Sequence, residues 1–477
     1  MADSIEKINK KIAGKKITKE DLVKECIKKS KDINRKYNAF VTIIDKPKFN
    51  KKADSILNGI PYSAKDLFST KGILTTGSSN ALKDYVPFFD ATVIKKLNEC
   101  GAVLTSKSVC DEFGLGGTGM TGHTGVVRNP YDDKRQAGGS SAGSAVAVAT
   151  GVVPFALGTD TGDSIRKPAS FCGIVGYKPT YGLISRYGVL PFASSLDHVG
   201  VFTNNVKDAA IVVDAIKGPD GKDMTALPEC APLTPQLNGK IEGKRLFYIK
   251  EICDIRFYDN PSEELKQTID EFDKIVKLCR DMGMQVIAES INEKLLNAIE
   301  PTYEIISCAE ATSNLSMYTG IIYGPRGIGS NINEMVKDYR THSFSPLIKR
   351  RLVIGSYVLQ KENQEKYYLN ACKVRRMIID KFNKLFSEYD ACLTLASGKG
   401  APLLDEKANV LDGEAVLENH LAIGNFGGYP SITIPFTYVS GLPVGINITG
   451  KVQDDANVLN IAYALEKKIK FKGGVHE

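Results

Sequence analysis

The chain has 477 residues, 43% hydrophobic and 25% charged, with a formal net charge of +7. That balance is ordinary for a globular chain and excludes disorder, a collagen-like repeat or a coiled coil as the main architecture. At roughly 150 residues per domain the length suggests about three domains, a soft expectation because large α/β enzymes often run longer as one unit.

Taken in order, residues 4–36 read as two charged helices, with Thr18 as an N-cap ahead of Glu20 and Asp21. The lysines crowded into the first 52 residues fit a solvated helical face better than an RNA footprint, since no nucleic-acid-reading motif accompanies them. Strand-like apolar runs follow at Ala39–Ile44, Ile60–Ala64 and Ala102–Thr105, with a helix expected over Thr92–Cys100. A small-residue helix is expected over Ser141–Gly151, then a buried strand over Val152–Leu157. Further on come a helix-rich stretch (Glu263–Glu310) containing a strand at Met284–Ala288, and a long helix over Ser345–Glu388. Strands are expected at Tyr389–Leu395, Ser431–Pro435 and Val444–Ile448, the last two joined at Ser440-Gly441. Strands alternating with helices predict an α/β fold. The organisation expected is an N-terminal helical segment (1–55) and one compact catalytic domain (56–477).

None of the ten cysteines forms a Cys-x-x-Cys pair and the five histidines are scattered, so no metal site is expected and a reducing, cytoplasmic setting is. The N-terminus lacks a signal-peptide apolar region, and glycines and Pro154 interrupt the most apolar stretch, so no membrane association is expected.

Glycine is unevenly spread: 16 of the 43 fall between Gly114 and Gly188. Gly114-Leu-Gly-Gly-Thr-Gly119 satisfies the dinucleotide-binding string. It neither follows its strand at once nor opens a helix, so it reads as a loop. The richer stretch is Gly138-Gly-Ser-Ser-Ala-Gly-Ser144 with Gly158-Thr-Asp-Thr-Gly-Asp-Ser-Ile-Arg-Lys-Pro168. It carries Ser140, Ser141 and Ser164 on turns that aim successive N–H groups into one concavity, suited to an anion or oxyanion. A serine nucleophile needs a base, and neither segment holds a histidine. Lys65 ends an apolar run, where burial would lower its pKa and let it act neutral, although a strand-end lysine more often snorkels to the surface.

These segments, with Cys172-Gly-Ile-Val-Gly-Tyr-Lys-Pro-Thr180, resemble the amidase signature enzymes, motif by motif and in order. Tyr181–Gly188, Ser194–Gly200, Asp111-Glu-Phe113 and Lys349-Arg-Arg351 look more narrowly like the glutamyl-tRNA(Gln) amidotransferase branch. The resemblance implies one large mixed β-sheet covered by helices on both faces. It implies Ser164 as nucleophile, Ser140 as bridging serine entered through a cis peptide, Lys65 as base, and an oxyanion hole of backbone N–H groups at Thr161, Gly162 and Asp163. Arg351 would hold the α-carboxylate of L-glutamine and Glu418 its α-ammonium, with Tyr303 on the pocket wall. The same resemblance implies a glutaminase component of a heterotrimer completed by amidotransferase B and C subunits. Ammonia would pass to a partner that converts Glu-tRNA(Gln) with ATP and Mg²⁺, so this chain would need no cofactor and would meet tRNA mainly through the partner.

Three positions depart from the pattern: Ala142 and Asp163 replace glycines, and Glu418 stands where an Asp is expected. A carboxylate at 163 would oppose charge developing in the hole and raise the Lys65 pKa, yet Asp tolerates positive φ better than most residues. A stand-alone amidase for small amides and a non-enzymatic scaffold are the alternatives.

Overall fold

The computed structural model describes residues 3–50, 53–406 and 415–473. Eleven strands build one mixed sheet: β1 (Phe40–Ile43), β2 (Pro61–Lys65), β3 (Val103–Ser108), β4 (Phe155–Asp160), β5 (Val175–Lys178), β6 (His198–Thr203), β7 (Arg245–Ile249), β8 (Gln285–Glu289), β9 (Ala391–Leu395), β10 (Ser431–Val439) and β11 (Leu442–Thr449). Their spatial order is β1-β3-β2-β4-β6-β5-β10-β11-β9-β7-β8. β2 runs parallel to both β3 and β4, and β7 parallel to both β8 and β9, while the remaining neighbours are antiparallel.

β2, β3 and β4 are buried at every residue, the pattern of strands covered on both faces. The helix Ala142–Ala149 is made only of small residues and Val and is wholly buried. The strand after it starts three residues later than the apolar run suggests. The amides of Val152 and Val153 both return to the carbonyl of Ala147, and Pro154 has no N–H to give, so pairing begins at Phe155.

At the N-terminus, helices Ile5–Ala13 and Lys19–Tyr37 form, and Thr18 caps the second through the Asp21 amide at 3.0 Å. β1 then joins the sheet edge against β3. The hairpin β10–β11 turns through Ser440 and Gly441, both at positive φ, as a two-residue right-twisted hairpin requires.

The long helix expected over Ser345–Glu388 is two pieces, broken at Leu359–Gln360, the second running unbroken through a π-helical turn. Pro346–Val358 ends with the Leu359 amide bonding back to Gly355, a short turn Lys361–Gln364 runs into a π-helical turn Glu365–Leu369, and Asn370–Glu388 completes it. One straight helix of that length would span about 66 Å, longer than a domain of this size. Among the described residues no helix is long and apolar enough to cross a membrane.

The parallel strands β2 and β4 end side by side, at Lys65 and Asp160. Ligands of open α/β sheets gather beyond such carboxyl ends.

Candidate active site

Lys65, the last residue of β2, has no solvent exposure. Its Nζ lies 2.7 Å from Ser140 Oγ, 2.9 Å from Ser141 Oγ and 2.8 Å from Thr159 Oγ1. Three neutral hydroxyls can accept the three ammonium hydrogens but supply no counter-charge, so burial dominates and the pKa is pushed down to about 8 from the ordinary 10.5. A lysine held this way shuttles between ammonium and amine near physiological pH. As the amine it can accept a hydrogen bond from a hydroxyl facing it, the arrangement a general base needs. Ser141 Oγ in turn donates to the Thr159 carbonyl at 3.0 Å, fixing the cage.

The glycine-rich loop after β3 explains how Ser140 reaches that lysine. The N–H groups of Thr118, Gly119, Met120 and Thr121 converge on the Asp111 carboxylate at 3.0–3.2 Å, joined by the Thr121 hydroxyl at 2.8 Å. The dinucleotide-like string thus wraps an internal carboxylate. Against this knot lies Gly139, whose amide bonds to the Gly117 carbonyl at 2.8 Å; any Cβ there would sit 2.0 Å from Asp111 Oδ2. The Gly139–Ser140 peptide is cis, and the Ser140 carbonyl accepts from the Asp111 amide at 3.1 Å.

Residues 161–165 link β4 to the helix Arg166–Phe171 in a turn closed around one buried ion pair. Asp160 accepts from Arg166 Nε and Nη2 at 3.1 and 2.8 Å and from the Ile165 amide at 2.9 Å. Arg166 also donates to the carbonyls of Gly162 (2.7 Å) and Leu421 (2.6 Å) and to Asn425 Oδ1 (2.6 Å). Burial would raise the Asp160 pKa, but Arg166 overrides it and holds the carboxylate ionised. Inside this clamp the backbone amides of Thr161, Gly162, Asp163 and Ser164 have no acceptor among the described residues. Ser164 is 3% exposed and its hydroxyl makes no hydrogen bond among them, so it is not bonded to Ser140. Thr161 Oγ1 donates at 2.7 Å to Asp197, whose carboxyl burial pushes up to about 6 against this bond and those from the Ala193 and Phe192 amides.

A cavity beside this turn is lined by Gly162, Asp163, Tyr303, Asn419 and Ala422. Tyr303 lies so close over Gly162 that a Cβ there would meet its ring at 2.9 Å. A second cavity, of about 230 Å³, is lined by residues including Leu67, Thr159, Thr161, Phe192 and Asp197. Arg351 stacks over Phe192 at 5.8 Å, and its Nη1 is buried with no partner among the described residues. Its charge also reaches Tyr303, opposing the burial that raises the phenol's pKa.

Glu418, on the short helix Ala415–Asn419, does not stand alone. Lys167 Nζ lies 3.0 Å from its Oε2 and 3.1 Å from Asp163 Oδ2. Burial opposes ionisation of Glu418, and Lys167 more than offsets it, lowering the pKa; for Asp163 burial prevails and the pKa rises. Asp163 is absent from the residues at positive φ, so no left-handed backbone is asked of it.

The structure therefore gathers Lys65 with Ser140, sets Ser164 at the head of the clamped turn, and places Asp163, Tyr303 and Glu418 around one cavity or one ion pair. Ser141 and Thr159 as further partners of Lys65, Asp197 behind Thr161, and above all Lys167 were not predicted from the sequence. The signal for Lys167 was an opposite charge four residues after Asp163, within one helical turn. Among the described residues no group of three or more His, Cys, Asp or Glu side chains is placed to hold a metal ion.

The amidase family model matches residues 21–459. The chain is 38% identical over 480 residues to the A subunit of the glutamyl-tRNA(Gln) amidotransferase of Thermoanaerobacter pseudethanolicus, covering 98% of this chain and 96% of that protein. It is equally similar, at the same coverage, to the protein of that name from Pelagibacter ubique. The crystal structure of the Thermotoga maritima protein of that name superposes with a TM-score of 0.79 at 33% identity, covering 98% of this chain and 96% of its own. A peptide amidase from Stenotrophomonas maltophilia shares the fold, with a TM-score of 0.82 at 22% identity over 99% of this chain and 98% of that one. An amidase sheet, a serine-lysine cluster at its strand ends and a match over nearly the whole length leave one conclusion: the chain belongs to the amidase family.

Proposed function

We propose that this chain hydrolyses L-glutamine and supplies the ammonia to a partner subunit of a tRNA-dependent amidotransferase. The observation that carries the chemistry is the buried Lys65 amine, 2.7 Å from Ser140 Oγ with its pKa pushed down to about 8. In the reaction, neutral Lys65 takes a proton from Ser140 as Ser140 takes one from Ser164. Ser164 Oγ then bonds to the side-chain carboxamide carbon of glutamine. The oxyanion formed would be received by the unaccepted amides of residues 161–164. The proton returns through Ser140 to the leaving nitrogen, the C–N bond breaks and ammonia departs. Water then attacks the glutamyl ester by the same relay and frees Ser164. A Ser140–Ser164 bond that is open without substrate is compatible with this order, since catalytic contacts often tighten only in the complex.

Substrate choice rests on Arg351, whose buried unpartnered Nη1 suits a carboxylate, and on Glu418 for the α-ammonium. The relatives named as A subunits of glutamyl-tRNA(Gln) amidotransferase support the amidotransferase setting, with B and C subunits completing a heterotrimer. Activation of the Glu-tRNA(Gln) carboxylate by ATP and Mg²⁺ would fall to the partner, as would most contact with tRNA. Arg351→Ala should cut glutamine kcat/KM by about two orders of magnitude, the loss of a charge-assisted pair, while sparing simple amides. Unchanged glutamine kinetics would favour a stand-alone small-amide amidase. A serine-directed acylating trap should label Ser164 in mass spectrometry; no adduct would favour a scaffold.

A further inference from the structure

Lys167 holds two carboxylates at once. It reaches Asp163 across one helical turn at 3.1 Å and Glu418, 251 positions away, at 3.0 Å, and it donates to the Glu418 backbone carbonyl at 2.6 Å. Its side chain is only 10% exposed, and that of Asp163 22%. Asp163 immediately precedes Ser164 and contributes to the run of unaccepted amides, so its carboxylate borders the place where negative charge develops. With two acids and one base, the unit carries one net negative charge. Lys167 without Asp163 would neutralise Glu418 and leave nothing for a substrate ammonium. Asp163 without Lys167 would leave an unpaired carboxylate one residue before Ser164, beside the run of unaccepted amides.

Resting on the glutamine reading above, we propose that Asp163 and Lys167 are a compensating pair of positioning residues that preserves one negative charge for the substrate α-ammonium and keeps it off the oxyanion hole. The two carboxylates together hold Lys167 protonated in spite of its burial. The carboxylate at 163, where the signature has glycine, and the lysine at 167 then act as one charge unit.

The test is a double-mutant cycle on the full-length protein, with glutamine and with propionamide, a neutral amide that has no ammonium. Lys167→Gln should lower kcat tenfold or more on both substrates, because an unpaired carboxylate then stands one residue before Ser164 and opposes the charge developing in the hole. Asp163→Asn should raise the glutamine KM fivefold or more relative to its effect on propionamide. The double variant should recover most of what each single variant loses, and Lys167→Arg, which keeps the charge, most of what Lys167→Gln loses. Single-variant losses that simply multiply in the double variant overturn the pair, as does a Lys167→Arg loss equal to that of Lys167→Gln. Should Lys167→Gln not fold, the pair stands if Lys167→Arg keeps most of the wild-type kcat and Asp163→Asn raises the glutamine KM selectively, and is overturned if either fails. Turnover of propionamide without glutamine overturns the functional reading alone; loss and recovery on propionamide then still support the pair.

Discussion

The proposed role of Lys65 as base makes a quantitative demand on the pH profile. With its pKa at about 8, roughly 9% of the lysine is neutral at pH 7 and about 91% at pH 9, so kcat/KM for amide hydrolysis should rise about tenfold over that interval and then level off. An ordinary lysine at 10.5 would give a rise of about a hundredfold with no plateau. Holding the pKa down also destabilises the fold by about 3 kcal/mol at neutral pH. The sign follows from proton binding: between about 8 and 10.5 the unfolded chain holds a proton that the native chain does not, so stability should increase with pH across that window. Lys65→Met removes that cost but takes a partner from Ser140, Ser141 and Thr159, at about 1 kcal/mol each, so Tm should move little. Turnover should nevertheless fall by about 10²–10⁴, the share of a general base. A steady-state pH series from about 6 to 10, with differential scanning calorimetry of both proteins, checks every part. A profile still climbing with unit slope at about pH 10, or a Met variant above a tenth of wild-type rate, would refute the reasoning.

Two further substitutions probe the scaffold that presents the serines. Asp111→Ala strips five hydrogen bonds from residues 118–121 and should lower unfolding free energy by about 3–5 kcal/mol in a urea titration, with activity lost in step. Arg166→Met leaves Asp160 charged and buried without its partner, at a cost of about 3–5 kcal/mol. Its loss should fall as the pH is lowered toward protonation of Asp160, and a penalty independent of pH would point to packing instead.

How far the sequence reached depends on whether a feature is local. Thr18 was readable as a cap because its partners lie within three residues. Most strands were visible as apolar runs, but their order was not, since β10 pairs with β5 across more than half the length of the chain and nothing in either run encodes it. β5 and β6 are buried at every residue without alternation and passed as part of the motif stretches, while β7, exposed at Arg245 and part-exposed at Tyr248, was not singled out. Lys65 and Ser140 were legible as chemistry and by resemblance, because the motif quotes them directly. The hydroxyl cage was not, since Ser141 and Thr159 matter only once β4 lies beside β2. The split of the long helix near Leu359 leaves no proline or glycine at the break, so nothing local in the sequence marks it.

The position that looked most troubling in the sequence changes character in the fold. Reading Asp163 as a lost glycine raises two questions, charge and backbone conformation, and on the second the structure asks nothing, because residue 163 needs no positive φ. What a glycine supplies there is the absence of a side chain beside the proposed nucleophile, Ser164. An aspartate restores a side chain and a charge, and the helix that begins at Arg166 answers with Lys167. The departure is therefore one of electrostatics, local enough to lie within one helical turn and long-range enough to involve Glu418. A comparison of Asp163→Gly with Asp163→Asn separates the two readings: if conformation mattered glycine alone would change turnover, whereas a charge effect moves both variants in the same direction.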